Sequence, residues 1–351
     1  MSQGYSLLDE ASLEGRNTFR VPARASVLAD VICAEAIGDL FAYDLFSNGP
    51  LLVLGEGSNI LFAGDWPGAA LAIRAHAITV LHDEGEAARV RVDAGANWND
   101  FVRWSLGHGF VGLENLSLIP GTVGAAPIQN IGAYGVEAGE FIQSVEAFDR
   151  QTGSMQRLDR AECGFGYRDS VFRRMPERWI VTAVEFELPR RREFRLDYAG
   201  VREELDRIGA EGTPRAAQVA EAICRLRTAK LPDPMVIGNA GSFFKNPVLA
   251  AADAHALAQR HPGLPVFASV DAGTRKLSAA WLIEACGWKG RRQGDAGVSD
   301  RHALVLVNHG RASGAQILAL ARRVAADVFA RFGVALEPEP RIVGARWETP
   351  Q

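Results

Sequence analysis

Three short stretches carry residue types able to do acid–base or charge-stabilising chemistry. In GNAGSFFKNP, residues 238–247, Ser242 stands between small residues and two phenylalanines, with Lys245 just after it and Lys230 upstream. No G-x-S-x-G elbow surrounds Ser242, and nothing nearby supplies the histidine and acid of a hydrolase triad, so it is a poor acyl nucleophile. A desolvated serine suits proton donation; the plainer reading is a serine in a turn. In LEPEPR, residues 336–341, prolines 338 and 340 impose an extended chain on which Glu337, Glu339 and Arg341 alternate to one side. An acid and a guanidinium on one face can manage charge developing on a carboxylate, and a solvated, charge-paired tail is the alternative. In GYRDSVF, residues 166–172, Arg168 suits bidentate recognition of a carboxylate or phosphate, or a surface pair with Asp169.

Two glycine-rich stretches could cradle a ligand. LGEGSN, residues 54–59, follows an apolar run, but Ile60 stands where a dinucleotide fingerprint needs its third glycine. The chain then continues as a further apolar run. The expected arrangement is strand, glycine turn, strand, with a nest of backbone N–H groups facing a phosphate and Ser58 and Asn59 as extra donors; an ordinary hairpin turn is the alternative. The segment from Ser117 to Glu140 holds Gly121, Gly124, Gly132, Gly135 and Gly139, and no charge occurs from Ser117 to Val136. Glycines set among Leu118, Ile119, Val123, Ile128 and Ile131 point to packed backbone that something approaches closely.

The elements that must position these residues follow from periodicity. Residues 25–37 have helical apolar spacing, while 51–54, 60–62, 70–73, 78–81 and 89–93 read as short strands. Asn97 caps a helix that Gly107 or Gly109 stops. Strand patterns resume at 143–149 and 179–188. Arg190 to Arg192 are then expected to form a solvated connection, with a domain boundary near 190–215. Helical spacing returns at 214–227, 276–288 and 314–333, and 303–308 is a strand. The fold class is α+β with segregated helical and sheet regions.

Composition narrows the function classes. The 351 residues are 48% hydrophobic and 23% charged with net charge -4, which suits a folded, soluble protein and offers no general field for nucleic acid or an anionic membrane. No stretch is apolar enough to span a bilayer, and the N-terminus lacks a secretion signal, so a cytoplasmic location is expected. Cys33, Cys163, Cys224 and Cys286 lie far apart and are expected to be reduced, buried thiols. The seven histidines show no ligand spacing, and no metal is expected.

In order along the chain, NTFRVPARA (17–25), LGEGSN, IPGTVGAAPIQNIGAYG, YRDSVF, KLPDP, GNAGSFFKNP and LEPEPR resemble the UDP-N-acetylenolpyruvoylglucosamine reductase family over nearly its full length. The resemblance implies a vanillyl-alcohol-oxidase (PCMH)-type FAD-binding region of two α+β subdomains, residues 1–75 and 76–200, and an α+β substrate-binding domain, 201–351. It implies non-covalent FAD held by Gly55, Glu56, Gly57, Ser58 and Asn59, and by Pro120, Gly121, Thr122, Gly124, Ala125, Gln129, Asn130, Gly132, Ala133, Tyr134 and Gly135. NADPH would reduce the flavin and leave. A UDP-aminosugar would then receive hydride on the methylene carbon of its enolpyruvyl group, giving UDP-N-acetylmuramate for peptidoglycan.

By the same resemblance Ser242 is the proton donor, and Arg168 and Glu339 steady the enolate-like intermediate. Tyr198, Arg227, Lys230, Asn246 and Arg341 hold the substrate, Tyr198 on a loop over the nucleotide. A monomer is expected. Pro340 and His302 depart from the family pattern, where valine and glutamine are usual.

Overall fold

The computed structural model describes residues 4–269 and 271–349. Contacts group the chain into two units: residues 1–11, 25–56 and 67–228 form one, and residues 12–24, 57–66 and 229–351 the other. This grouping differs from the spans 1–75, 76–200 and 201–351 expected from sequence. Helices Val201–Arg207 and the greater part of Ala216–Lys230 fall in the first unit, and the N-terminal region is shared between the two.

The first unit is built on a five-stranded antiparallel sheet in the order Ser154–Asp159, Ile142–Asp149, Trp179–Pro189, Ala87–Asp93 and Ile78–Asp83. Trp179–Pro189 is the central strand and is buried along almost its whole length, with Glu187 exposed. Helix Trp98–Gly107 packs on this sheet through Trp98 and Phe101, whose rings lie 6.1 and 4.8 Å from that of Phe186. Asn97 starts the helix as expected, its side chain accepting the Asp100 N–H. A second sheet has the order Tyr5–Ser12, Arg24–Val31, Trp66–Ile73 and Leu51–Leu54.

Several expectations are corrected here. Residues 24–31 are a strand, not the start of a helix: their small and β-branched residues fit either period, and pairing inside the sheet decides. Leu51–Leu54 and Ile60–Phe62 do flank the glycine turn, but they form no hairpin. The first pairs in parallel with Trp66–Ile73, and the second in parallel with Arg341–Val343. Arg190 and Arg192 are not a solvated connection. Arg190 pairs with Asp83 and lies 4.6 Å over the Phe110 ring, and Arg192 pairs with Glu140 and lies 4.8 Å over Phe141. The cysteines form no disulfide, and of the four expected to be buried only Cys163 is: Cys33 is exposed, and Cys224 and Cys286 are half-buried.

The second unit has an antiparallel sheet in the order Gly238–Ser242, Val305–Asn308, Ala296–Val298 and Arg292–Gln293. Its long helix, Gly314–Phe332, begins in a capping box between Ser313 and Gln316 and ends at Gly333, φ 68°. The NTFR segment is structural. The buried Asn17 amide donates to Leu13 O and Val21 O, Asn239 N–H donates to Thr18 O, and the Asn308 amide donates to Phe19 O. These bonds seat the start of the Gly238–Ser242 strand.

Gly314 lies where a Cβ would strike the carbonyl of Phe62, whereas a Cβ on Gly38 would meet nothing within 4 Å. Gly314→Ala is therefore expected to lower unfolding free energy by about 2 kcal/mol or more, and Gly38→Ala to stay within about 0.5 kcal/mol of the parent. Chemical denaturation of the two variants checks this.

Candidate functional site

Within the first unit, backbone strain concentrates around the glycine-rich segment. Six described non-glycine residues have positive φ, and four of them are Leu118, Asn130, Tyr134 and Arg168. Such strain persists only where the surroundings over-determine it, and it clusters at ligand sites. The surroundings are visible. Glu56 accepts from Gly121 N–H at 3.0 Å and from the Asn97 amide at 2.7 Å, so its carboxylate ties the glycine turn to the loop that follows Pro120. Glu56 is thus committed to holding backbone. Gly55 allows the approach, since a Cβ there would lie 2.8 Å from Thr122 Oγ1, and Gly124 sits against Ala94. Asn130 donates to Glu137 and Gly166 O and accepts from Gly139 N–H, closing the segment on itself.

Asp169 meets Arg174. Arg168 donates to Gly132 O at 2.6 Å and lies 5.4 Å over the Tyr167 ring, so its guanidinium stands at the glycine loop. Arg227 reaches the other end of that loop. It is half-buried, and its Nε, which is itself buried, has no hydrogen-bond partner. Burial pushes its pKa down, against the pull of the Tyr134 and Cys224 side chains. Tyr134 is pushed up, chiefly by burial. A half-buried cation with an unpartnered Nε beside a strained glycine loop fits an anionic group such as a diphosphate, which FAD and a UDP-sugar both carry. Tyr198 is exposed, its ring edge-on to Tyr134 at 5.0 Å.

In the second unit, Ser242 ends a strand, pairs opposite Val305 and is half-buried. The next residues pair with the C-terminal segment. Lys245 N–H donates to Glu337 O at 3.0 Å, Glu339 N–H donates to Phe243 O at 2.8 Å, and Phe244 stands opposite Pro338 between them. This bridge brings the Ser242 strand and Glu339 together. Both prolines fall where no backbone donor is needed: Pro338 lies in the gap between those two bonds, and Pro340 lies between Glu339 and Arg341, whose N–H reaches Asn59 O. The Pro340 departure therefore leaves the local geometry intact. Glu337 is exposed and pairs with Lys245, while Glu339 is half-buried, so the two acids have separate surroundings. Asn246 Oδ1 accepts the Ala279 N–H, leaving its amide N–H groups for a ligand. Lys230 and Arg341 are exposed.

His302 sits at the start of the Val305–Asn308 strand, and its Nδ1 accepts the Leu304 N–H. Burial first, then the charges of Lys230 and Lys289, push its pKa below the usual 6.5. The ring is neutral at pH 7, with its proton on Nε2. Sequence reasoning missed Asn115 and Glu114, both buried in the first unit. The one available signal was their place just ahead of the glycine-rich segment.

The unfolded chain binds the His302 proton before the folded chain does, so stability is full above pH 6.5 and falls as pH drops below it. His302→Gln is expected to remove part of that fall, which thermal melts across pH 5 to 8 will read, with His309 supplying a further part by the same sign.

Residues 233–343 match the family model described as UDP-N-acetylenolpyruvoylglucosamine reductase, C-terminal domain, and residues 34–159 match an FAD binding domain. The chain is 56% identical over 344 residues to the UDP-N-acetylenolpyruvoylglucosamine reductase of Xanthomonas euvesicatoria pv. vesicatoria, covering 98% of each. It is 55% identical over 343 residues to that of Xanthomonas campestris pv. campestris strain 8004, again covering 98% of each. Among solved structures, the reductase from Thermus caldophilus matches with a TM-score of 0.66 at 25% identity, covering 97% of this chain and 98% of that one.

Proposed function

The chain belongs to the UDP-N-acetylenolpyruvoylglucosamine reductase family, and from that premise we propose how its residues divide the work of the reaction. It is an FAD-dependent oxidoreductase that reduces the enolpyruvyl group of UDP-N-acetyl-3-O-(1-carboxyvinyl)-glucosamine to UDP-N-acetylmuramate, a step of peptidoglycan synthesis. Bound FAD supplies the two-electron chemistry, drawing on NADPH. The protein's part is to bind, orient and protonate.

Ser242 holds at Oγ the proton that goes to the carbon beside the reduced methylene. Glu339, half-buried and fixed by its own N–H to Phe243 O, is the acid that hydrogen-bonds the intermediate's developing charge. Arg168 offers its guanidinium to the substrate carboxylate. Lys230 and Tyr198 hold the UDP group, Asn246 adds its amide, and Arg341 completes the charged tail. Arg227, half-buried beside the glycine loop, adds its charge to the hold on the substrate. The turn at 55–59 and the loop 120–135 hold FAD through backbone donors, with Glu56 as their brace rather than a direct ligand. We assign the cofactor role to the turn at 55–59 and the loop 120–135, and the substrate role to Arg168, Tyr198 and the C-terminal part, in a cytoplasmic monomer. Among the described residues no helix is long and apolar enough to cross a membrane, and no cluster could hold a metal.

The observation that carries this division is the backbone bridge at Phe244 and Pro338, which aligns Ser242 and Glu339 within the region matching the family's C-terminal domain. Ser242→Ala is expected to slow turnover by about a hundredfold to ten-thousandfold while NADPH still reduces the flavin at the parent rate. Stopped-flow absorbance separates the two half-reactions, and unchanged turnover removes Ser242 from the chemistry. Lys230→Gln is expected to raise KM for the UDP-sugar roughly tenfold or more, as loss of a charged hydrogen bond worth about 1.5–3 kcal/mol implies, with kcat little changed.

A further inference from the structure

Outside the proposed machinery, Asn115 is fully buried, on the short stretch of chain between the helix Trp98–Gly107 and the glycine-rich segment. Its amide nitrogen donates two hydrogen bonds, to Tyr134 O at 2.9 Å and to Arg195 O at 2.8 Å. Both partners are carbonyls, which can only accept, so they fix which end of the amide is nitrogen. The amide oxygen has no partner. A buried unpaired oxygen costs about 1–3 kcal/mol, a penalty that an apolar side chain of the same shape would not incur. What the asparagine supplies in return is a tie between two segments 61 residues apart, the loop carrying Tyr134 and the chain leading to Tyr198.

Two further contacts join the same segments. Tyr134 and Tyr198 meet edge to face at 5.0 Å, with an interplanar angle of 68°. Tyr134, Phe194 and Leu196 also pack on one apolar cluster formed by Val201, Leu205, Val219, Ala222, Ile223 and Leu226. Tyr134 itself is held at φ 48°, so its carbonyl and ring directions are set together. Tyr198 is half exposed, and its segment has few other anchors: its carbonyl accepts the Val201 N–H, and Asp197 pairs with Arg202.

We propose that Asn115 is a positioning residue that couples the glycine-rich cofactor loop to the Tyr198 segment, so that the conformation of the loop presets the grip on the nucleotide. The proposal rests on the reading that Tyr198 holds the UDP group. It requires no contact between Asn115 and any ligand, because the amide acts through the Arg195 and Tyr134 carbonyls.

The test is a double-mutant cycle on the FAD-loaded enzyme, with UDP as the titrated probe and the UDP-sugar as the kinetic substrate. Asn115→Leu is expected to raise the Kd for UDP and the KM for the sugar about tenfold, with flavin content and the limiting rate of flavin reduction by NADPH unchanged. Tyr198→Ala is expected to raise both constants by itself, and Asn115→Leu added to Tyr198→Ala to change them less than twofold. Additive effects in the double variant overturn the coupling. A Tyr198→Ala enzyme with unchanged UDP affinity overturns the underlying reading of Tyr198, and the coupling with it. Lost flavin and lowered kcat with unchanged KM mark Asn115 as merely structural and also overturn the proposal. Should Asn115→Leu fail to fold, Phe194→Ala loosens the same segment from its half-buried side. A raised Kd for UDP in that variant supports the coupling, and an unchanged one overturns it.

Discussion

Two backbone hydrogen bonds, from Lys245 N–H to Glu337 O and from Glu339 N–H to Phe243 O, do more for the chemistry than any side-chain contact in the second unit. Ser242 ends a strand that is anchored at its start on the NTFR segment and along its length on Val305–Asn308, and Glu339 lies in a proline-stiffened tail with no helix or sheet of its own until Arg341. The bridge at Phe244 and Pro338 fixes the acid's stretch of chain ahead of the strand Arg341–Val343. With it, the acid and the serine share one frame, with Phe243 and Phe244 fully buried between them. Placing reacting groups by backbone pairing costs little entropy at the moment of reaction, since the rotamers are the only freedom left.

The first unit reaches the same end by different means. Its glycine-rich segment has little regular structure, and beside its backbone bonds three polar backbone groups are satisfied by side chains: Glu56 on Gly121, Asn130 on Gly139, Asn115 on Tyr134. Those side chains also hold non-glycine residues at positive φ, and the strain is tolerable because the five-stranded sheet and its helix form a large apolar core beside the segment. Arg227 stands beside that rigid segment, half-buried, with a Nε that no hydrogen bond satisfies.

How much of this could be read in advance follows from the range of the interactions involved. Strands at 51–54, 60–62, 89–93 and 179–188 and the helix from Asn97 were legible because periodicity and capping are local. The 24–31 strand was not, because its small apolar residues suit either period and only the neighbouring strands decide. Ser242, Glu339 and Arg168 stood out by residue type, but the bridge at Pro338 and the Arg168 bond to Gly132 O join segments far apart in the chain and leave no local trace. The tasks of Glu56 and Asn115 were invisible for the same reason. The identity of flavin and substrate was legible through the ordered motif set, and not from charge, composition or spacing.

The claim that this protein is a reductase of the enolpyruvyl UDP-sugar is tested most directly by following its flavin absorbance under anaerobic conditions. After bleaching with one equivalent of NADPH, addition of UDP-N-acetyl-3-O-(1-carboxyvinyl)-glucosamine should restore the oxidised spectrum and yield UDP-N-acetylmuramate, while oxygen alone should restore it far more slowly. Rapid recovery with oxygen and none with the UDP-sugar would contradict the account and make the protein a flavin oxidase.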